Sequence, residues 1–166
     1  MVALLLALGV RTFVFQAFFV PSASMVPTLE VGDRILVDKL FFSANKLHTG
    51  DIIVFRADHA ADVACQTTET VFVKRVIATA GERISSVGQA VYIDNKPLAE
   101  PWLPKGEQLG TPITPQTIKT GEVFVMGDNR LDSCDSRSWG DVSTSAVIGK
   151  VVLTWWQNGR PDLHFF

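Results

Sequence analysis

Short apolar segments bounded by turn-forming residues occupy most of the sequence after Pro21, and they restrict the fold more than any other feature. Six of them are rich in β-branched or aromatic residues and have the length of a strand: RILVDKLFF, DIIVF, TVFVKRVIA, AVYIDNKPL, EVFVMG and GKVVLTWW. A glycine followed by an acidic residue recurs as a turn signal before strands, at Gly32-Asp33, Gly50-Asp51, Gly81-Glu82 and Gly121-Glu122. Helical periodicity is hard to find. The sequence therefore predicts a mostly β fold.

Two segments between the predicted strands are expected to be turns or loops. YIDNKPL predicts a hairpin turn at Asp94-Asn95. The stretch from Glu100 to Thr117 carries four prolines and two glycines, and it predicts a long surface loop. No domain-sized linker interrupts the 166 residues, so a single domain with its own core is expected after the N-terminal segment.

The first 20 residues, MVALLLALGVRTFVFQAFFV, are apolar and contain no acidic residue. As a helix, the ten residues before Arg11 rise only about 15 Å, which is half of a bilayer's hydrocarbon core. Three interpretations remain: a cleaved signal peptide, the outer half of a transmembrane helix that begins upstream of this chain, or a short anchor with Arg11 at the interface. We favour the end of a membrane helix up to Val10, followed by an extended segment through Val20. This divides the chain into an anchor end with its lead-in, residues 1–19, and a β-rich domain, residues 20–166.

The distribution of charge argues against a nucleic-acid partner. The 15 lysines and arginines are scattered without a run, and the formal net charge is -2. Binding to a polyanion requires clustered cations. We therefore expect no nucleic-acid partner.

Ser24 lies in a loop that restricts its backbone, since Pro21 and Pro27 stand on either side of it. A serine in such a loop is most often a turn residue, and a catalytic serine needs a base. The three histidines that could supply one lie in settings typical of solvated loops: His48, His59 and His164.

Lys74 is a better candidate for the base. Strand alternation in TVFVKRVIA places Lys74 and Arg75 on opposite faces of one strand. If either face is turned to the core, one of the two cations is partly desolvated, and burial favours the neutral form of a lysine. The alternative is an edge strand on which Lys74 reaches solvent.

A third segment, MGDNRLDSCDSRSWG, follows a predicted strand and alternates acidic residues with arginines. Paired charges of this kind predict an ordered loop rather than a mobile one. Such a loop can hold neighbouring groups in register and supply hydroxyls to a neutral lysine.

Four segments, PSASMVPTL, GDRILVDK, KRVIATAGE and GDNRLDSCDSR, closely resemble in this order the motifs of bacterial type I signal peptidases. Members of that family are membrane-anchored, mostly β serine endopeptidases that use a Ser/Lys dyad to remove signal peptides. The resemblance implies an antiparallel β-sheet peptidase domain on the extracytoplasmic side of the cytoplasmic (inner) membrane. It also implies that the partners are the signal peptides of secretory preproteins and the lipid bilayer, and that neither a metal nor another cofactor is needed.

The same resemblance assigns roles by motif position. Ser24 is the nucleophile, Lys74 is its general base, and the Ser22 hydroxyl joins the Ser24 backbone N–H in the oxyanion hole. Ser133 orients the lysine. The charged residues that brace the loop are Asp128, Arg130, Asp135 and Arg137. The residues that line pockets for the small side chains of an A-x-A-like cleavage site are Val20, Pro21, Met25, Leu29, Phe72 and Val73.

Two positions depart from the family pattern. Ala23 stands where glycine is usual, and ATAGE replaces the more usual Gly-Leu-Pro-Gly-Asp. An extended substrate is expected to pair with strand edges near residues 19–22 and 72–74.

The state of the two cysteines is left open by the sequence, and two other functions are weighed against the peptidase. Cys65 and Cys134 can form a disulfide or remain free thiols, and the sequence does not decide between them. A self-cleaving repressor-type Ser/Lys protease would bring a DNA-binding domain and a basic surface, which this sequence lacks. A membrane-tethered peptide-binding domain with a degenerate site is disfavoured because both dyad positions and Ser22 are present.

Overall fold

The computed structural model describes residues 14–157 and 160–166. The membrane helix expected up to Val10 lies outside these residues. Within them, no helix has the length and the hydropathy needed to cross a bilayer. The division at residues 19 and 20 stays a prediction, although the lead-in expected to be extended does form a strand from Phe15 to Phe19.

The described chain is built from two antiparallel sheets, which confirms the mostly β fold. The strands of the larger sheet are β1 (Phe15–Phe19), β2 (Arg34–Asp38), β3 (Ile52–Arg56), β4 (Val71–Ala78), β9 (Glu122–Met126), β10 (Val142–Ser143), β11 (Val147–Gln157) and β12 (Arg160–Phe165). Those of the smaller sheet are β5 (Arg83–Val87), β6 (Ala90–Ile93), β7 (Lys96–Pro97) and β8 (Gln116–Thr117).

The strand order of the larger sheet is β1-β2-β11-β3-β4-β9-β10. The long strand β11 pairs with β2 on one side, and on the other side with β3 and then β12. The order of the smaller sheet is β7-β6-β5-β8. The β6–β7 hairpin turns at Asp94 and Asn95, both with positive φ, as the sequence predicts.

All six predicted runs contain a strand, but their ends differ from the prediction. RILVDKLFF stops at Asp38 because the Asp38 carboxylate accepts the N–H groups of Leu40 and Phe41 and turns the chain. The strands that lie outside the six predicted runs are β1, β5, β8, β10 and β12.

Two short helices interrupt the β structure, over His59–Cys65 and Ser136–Trp139. The first corrects the interpretation of His59 as a loop residue. Its N-terminus is capped by the Asp58 carboxylate, which accepts the Ala61 N–H, and the helix ends at Gln66 with φ 49°.

The segment from Glu100 to Thr117 is only partly a surface loop. Leu109 and Ile113 are buried in the core of the smaller sheet. Their backbone N–H groups are satisfied by the side chains of Gln89 and Ser86. This segment therefore covers the smaller sheet and contributes to its core.

The first half of strand β4 has one unpaired edge, and the candidate site lies beside that edge. Residues 71–75 pair with β3, whereas pairing with β9 begins only at Arg75. Val71 to Lys74 thus have no strand on their second side in the part of the chain that the structure describes. At the end of the same sheet, β1 pairs with β2 alone.

Candidate active site

Ser24 stands in the middle of a 3-10 turn, Ala23–Met25, that is fastened at both ends. Before the turn, Val20 exchanges backbone hydrogen bonds with Gly32 and Asp33, at 2.9 Å each. After it, the Leu29 N–H donates to the Met25 carbonyl at 2.9 Å, and both side chains are buried. The turn therefore holds a half-buried serine on a fixed backbone.

Lys74 faces Ser24 from the free half of β4. Its side chain is buried, with 2% of the residue exposed, and its Nζ lies 2.5 Å from the Ser24 Oγ. None of the ion pairs among the described residues includes Lys74. Burial lowers the pKa of Lys74 from its usual 10.5 to about 8, against the opposing charge of Asp135. The neutral amine that a general base requires is thus accessible near neutral pH.

Arg75 points to the opposite face and is also buried, but it has a counterion. Its Nε and Nη2 donate to the two oxygens of Asp128 at 2.8 and 2.6 Å. Its Nη1 donates to the Gly50 carbonyl at 2.7 Å, and its guanidinium lies 4.7 Å from the centre of the Trp102 ring. The sequence predicts that at least one of these two cations is buried, and in the structure both are. The alternative, in which Lys74 reaches solvent, is wrong.

Ser22 lies at the exposed mouth of the site. Its Oγ is 3.3 Å from the Ser24 Oγ. The two hydroxyls therefore face the same region of the site.

The charged loop is ordered by paired charges, as the sequence predicts. Asp135 is fully buried and accepts hydrogen bonds from Gly127 N, Ser133 Oγ and three nitrogens of Arg137, namely its backbone N, Nε and Nη2. Arg137 also donates to the carbonyl oxygens of Leu109, Arg130 and Ser133. Because these contacts cross the whole loop, they fix its backbone against the larger sheet.

The two remaining charged residues, Asp128 and Arg130, brace the start of the same loop, directly after β9. Asp128 accepts a 2.5 Å hydrogen bond from Thr28 Oγ1 in addition to those from Arg75. Arg130 donates to the Gly127 carbonyl at 3.0 Å and pairs with Glu100. Asp128, Arg130 and Asp135 are buried within this network, and the side chain of the half-buried Arg137 is 2% exposed.

Ser133 lies against the turn Ala23–Met25 through Gly127. A Cβ on Gly127 would overlap both the Ser133 hydroxyl and the Ser24 carbonyl oxygen, so only glycine permits this approach. The Ser133 hydroxyl donates to Asp135 at 2.8 Å. The side-chain hydrogen bond described for Lys74 Nζ goes to Ser24 and not to Ser133. The role of Ser133 in orienting the lysine therefore stays a prediction.

A cleft of about 380 Å³ opens beside Ser24 and Lys74. Its walls include five of the six residues expected to contact substrate: Val20, Pro21, Met25, Phe72 and Val73. Leu29, the sixth, does not line the cleft. It is fully buried in the core of the larger sheet, where it supports the turn.

Cys65 and Cys134 form a disulfide with a Cα–Cα distance of 5.8 Å, which decides between the alternatives left by the sequence. Both cysteines line the cleft. The bond joins the end of the helix His59–Cys65 to the residue next to Ser133.

Neither the histidines nor a metal cluster contributes to the cleft. The three histidines are exposed, and none of them is among the residues that line it: His48, His59 and His164. Across residues 14–157 and 160–166, no group of three or more His, Cys, Asp or Glu side chains is arranged to hold a metal ion.

Four residues of this network were not singled out from the sequence: Thr28, Arg75, Glu100 and Asn129. Arg75 was recognised only as the neighbour of Lys74, although an arginine buried on a core-facing strand requires an acidic partner. Asn129 stands between two charged residues, and nothing in the sequence distinguishes it from an ordinary loop asparagine. Thr28 and Glu100 have no local signal, because their partners are 100 and 30 residues away.

Comparisons with known proteins show the family to which this chain belongs. The family described as signal peptidase, peptidase S26, matches residues 1–156. Signal peptidase I of Leptolyngbya laminosa is 39% identical over 160 residues, which cover 95% of this chain and 77% of that protein. Signal peptidase I T of Bacillus subtilis (strain 168) is 36% identical over 157 residues, covering 89% and 77%.

The fold of this chain is also similar to that of a solved structure. The crystal structure of a signal peptidase I from Enterococcus faecalis V583 aligns with a TM-score of 0.51 and 27% identity, covering 65% of this chain and 98% of that one. The family match, the identities over most of the chain and the related fold lead to one conclusion: this chain belongs to the type I signal peptidases of peptidase family S26.

Proposed function

We propose that the chain is a membrane-bound serine endopeptidase that removes signal peptides from secreted preproteins, with Ser24 as nucleophile and neutral Lys74 as general base. The observation that carries the proposal is the 2.5 Å contact between Lys74 Nζ and Ser24 Oγ, made by a buried lysine that is in none of the described ion pairs. A carboxylate partner would raise the pKa of a buried lysine and keep it protonated, whereas burial lowers the pKa of Lys74 to about 8.

In the proposed reaction, Lys74 takes the Ser24 hydroxyl proton as Oγ bonds to the scissile carbonyl carbon. The carbonyl π electrons move to oxygen, where the Ser22 hydroxyl and the Ser24 N–H stabilise the negative charge. The C–N bond then breaks, and the proton on Lys74 passes to the departing amine. A water molecule, deprotonated by the same lysine, then attacks the ester carbon of the acyl-enzyme. The C–Oγ bond breaks, the proton on Lys74 passes to Ser24 Oγ, and the signal peptide leaves as a carboxylic acid with both residues restored.

The Ser133 hydroxyl is suited to orient the amine in these steps. Its hydrogen is committed to Asp135, which leaves oxygen lone pairs to accept a hydrogen bond from Lys74. Asp135 is itself held by Arg137, so the serine cannot rotate freely. A neutral lysine oriented in this way keeps its own lone pair for the Ser24 proton.

The shape of the cleft supports a preference for small residues before the cut. Bulky apolar side chains, including those of Phe18, Met25 and Phe72, line the cleft beside Ser24 and would crowd a large substrate side chain there. The free edge of residues 71–74 offers backbone groups to an extended substrate. We expect cleavage after Ala, Ser or Gly in A-x-A-like sites and none after Phe or Leu.

Two observations support a location at the extracytoplasmic side of a membrane. The Cys65–Cys134 disulfide fits an oxidising compartment. The apolar residues 1–13 lead directly into β1, at whose end Phe19 is 60% exposed. The lipid bilayer is thus proposed as a partner of the N-terminal segment.

The test is to incubate the detergent-solubilised protein with a purified preprotein and to sequence the new N-terminus. The proposal expects one cut after a small residue, and none with Ser24→Ala. Binding of the preprotein without any cut would instead support a peptide-binding domain, and cleavage of the chain itself alone would support a repressor-type protease.

A further inference from the structure

Asn129 contacts the nucleophile's turn at two consecutive carbonyl groups. Its side-chain Nδ2 donates to the Ala23 oxygen at 3.1 Å, and its backbone N–H donates to the Ser24 oxygen at 3.1 Å. Asn129 and Ala23 are 106 positions apart in the sequence, so only the tertiary fold brings them into contact. Asn129 is therefore the residue through which the charged loop holds the serine's backbone.

The Ala23 oxygen accepts two hydrogen bonds, one from Asn129 Nδ2 and one from the Val26 N–H, at 3.1 Å each, and together they fix the direction of the Ser24 N–H. The Ala23 carbonyl and the Ser24 N–H belong to one planar trans peptide, in which the two groups point in opposite directions. Because the Ala23 oxygen is turned towards Asn129, the Ser24 N–H must point away from the charged loop. It has no acceptor among the described hydrogen bonds, as expected for a donor in the first turn of a 3-10 helix.

Asn129 is itself held on both sides. Asp128, which precedes it, is fixed by Arg75 and Thr28, and the Arg130 N–H donates to the Asp128 carbonyl at 3.0 Å. The Asp132 N–H donates to the Asn129 carbonyl at 3.1 Å. The carboxamide therefore acts from a fixed backbone, and rotation of the Ala23–Ser24 peptide would break its hydrogen bond.

We infer that Asn129 is a positioning residue: its carboxamide acts with the Val26 N–H to hold the plane of the Ala23–Ser24 peptide and thereby aims the Ser24 N–H at the substrate oxygen that becomes negative. The inference rests on the proposed function, since it requires an acyl transfer at Ser24. Asn129 does not touch the substrate in this scheme. Its effect is on the tetrahedral intermediate, because the substrate's neutral carbonyl gains less from a well-aimed donor than the oxyanion does.

The first measurement is the kinetics of Asn129→Ala on one preprotein. This variant loses the side-chain bond to Ala23, so that the Ala23 oxygen keeps only the Val26 N–H among its described donors, and it retains the backbone donor to Ser24. Full loss of an oxyanion donor lowers kcat by about 100- to 1000-fold, so a misaimed donor should lower it by about 10- to 100-fold. KM should stay within about twofold, since the ground-state contacts remain.

The second measurement isolates the tetrahedral adduct. A peptide aldehyde that ends in Ala adds to Ser24 Oγ and places a charged or strongly polarised oxygen in the oxyanion hole, whereas the matching peptide alcohol binds without a covalent bond. Asn129→Ala should weaken the aldehyde by the factor lost in kcat/KM and leave the alcohol unchanged. A residue that merely supports the fold would weaken both.

Two further variants complete the experiment. Asn129→Asp keeps the size of the side chain but cannot donate to Ala23 when ionised, so it should also lower kcat. Asn95→Asp makes the same chemical change in the exposed hairpin turn of the smaller sheet and should have no effect. Thermal unfolding of each variant shows whether the fold is retained.

The outcomes separate the two levels of the argument. An active wild type whose Asn129→Ala and Asn129→Asp variants keep full kcat, or lose affinity for aldehyde and alcohol alike, overturns the positioning role alone. A wild type that cuts no preprotein and does not bind the aldehyde through Ser24 overturns the proposed function together with this inference.

Discussion

Lys74 and Arg75 are adjacent on one strand and both buried, yet only Arg75 has a carboxylate partner. Arg75 forms two hydrogen bonds with Asp128, whereas the Lys74 Nζ is 2.5 Å from the neutral hydroxyl of Ser24. A guanidinium stays charged under all accessible conditions, but an unpaired buried ammonium loses its proton readily. Strand alternation thus separates a structural cation on one face from a titrating amine on the other.

The rate of cleavage should follow the protonation of Lys74. Below its pKa of about 8 the amine carries a proton and cannot accept another, so kcat/KM should rise with pH through that region. Lys74→Arg should be inactive at every pH, because the guanidinium does not deprotonate. Cleavage of one preprotein from about pH 6 to about pH 10 gives the profile. A flat profile, or an active Lys74→Arg enzyme, would assign the base elsewhere.

The dyad should behave as one unit. Ser24→Ala and Lys74→Ala should each abolish processing, and the double variant should be no worse than either, because removing one member already disables the pair. The control is replacement of the exposed histidines by alanine, which should leave turnover intact: His48, His59 and His164. A large loss at His59 alone would point to a Ser/His mechanism.

Ser22 should contribute to the transition state more than to substrate binding. Its Oγ lies 3.3 Å from the Ser24 Oγ, at the mouth of the cleft. Loss of an oxyanion donor costs about 3 kcal/mol, so Ser22→Ala should lower kcat by about a hundredfold with little change in KM. Ser22→Thr retains the hydroxyl and is the matched control. If Ser22→Ala raises KM alone, the hydroxyl binds ground-state substrate instead.

The disulfide should stabilise both the fold and the charged loop. Cys65 and Cys134 are 69 residues apart, and closing a loop of that size restricts the unfolded chain by about 4 kcal/mol in the chain-entropy model. Cys65→Ser with Cys134→Ser should lower the unfolding free energy in urea by about 2 to 4 kcal/mol. Activity at low temperature should also fall, since Cys134 neighbours Ser133. Unchanged stability would show that the bond does not constrain the chain.

The sequence predicts those parts of the fold in which local pattern and tertiary environment agree. Strand β4 alternates clearly, and the motifs that resemble the peptidase family point to Ser24 and Lys74, whose side chains the structure brings together. Strand β12 carries no such pattern, because all six of its residues are exposed. It is recognisable only through its pairing with β11.

Other features of the site depend on distances that a sequence does not contain. The partner of Cys65 is set by how the helix His59–Cys65 packs near the charged loop. Leu29 matches a motif position for substrate contact, but the turn from Met25 directs it into the core. Asn129 is an ordinary loop residue until Ala23, far away in the chain, is placed beside it.

The burial of Lys74 should also be visible in the stability of the folded protein. Below about pH 8 the amine is protonated in both states, and the folded state bears the cost of a buried ammonium. Between about 8 and 10.5 the unfolded chain binds more protons than the folded one, so the unfolding free energy should rise with pH, by about 3 kcal/mol in all. Lys74→Met removes the amine while retaining the length of the side chain, and the difference between this variant and the wild type cancels the titration of other groups. Urea unfolding should therefore show Lys74→Met as more stable than the wild type near pH 7, with that advantage disappearing towards pH 10.5. A difference that does not change with pH would mean that Lys74 is solvated in the folded protein and that its pKa is not lowered by burial.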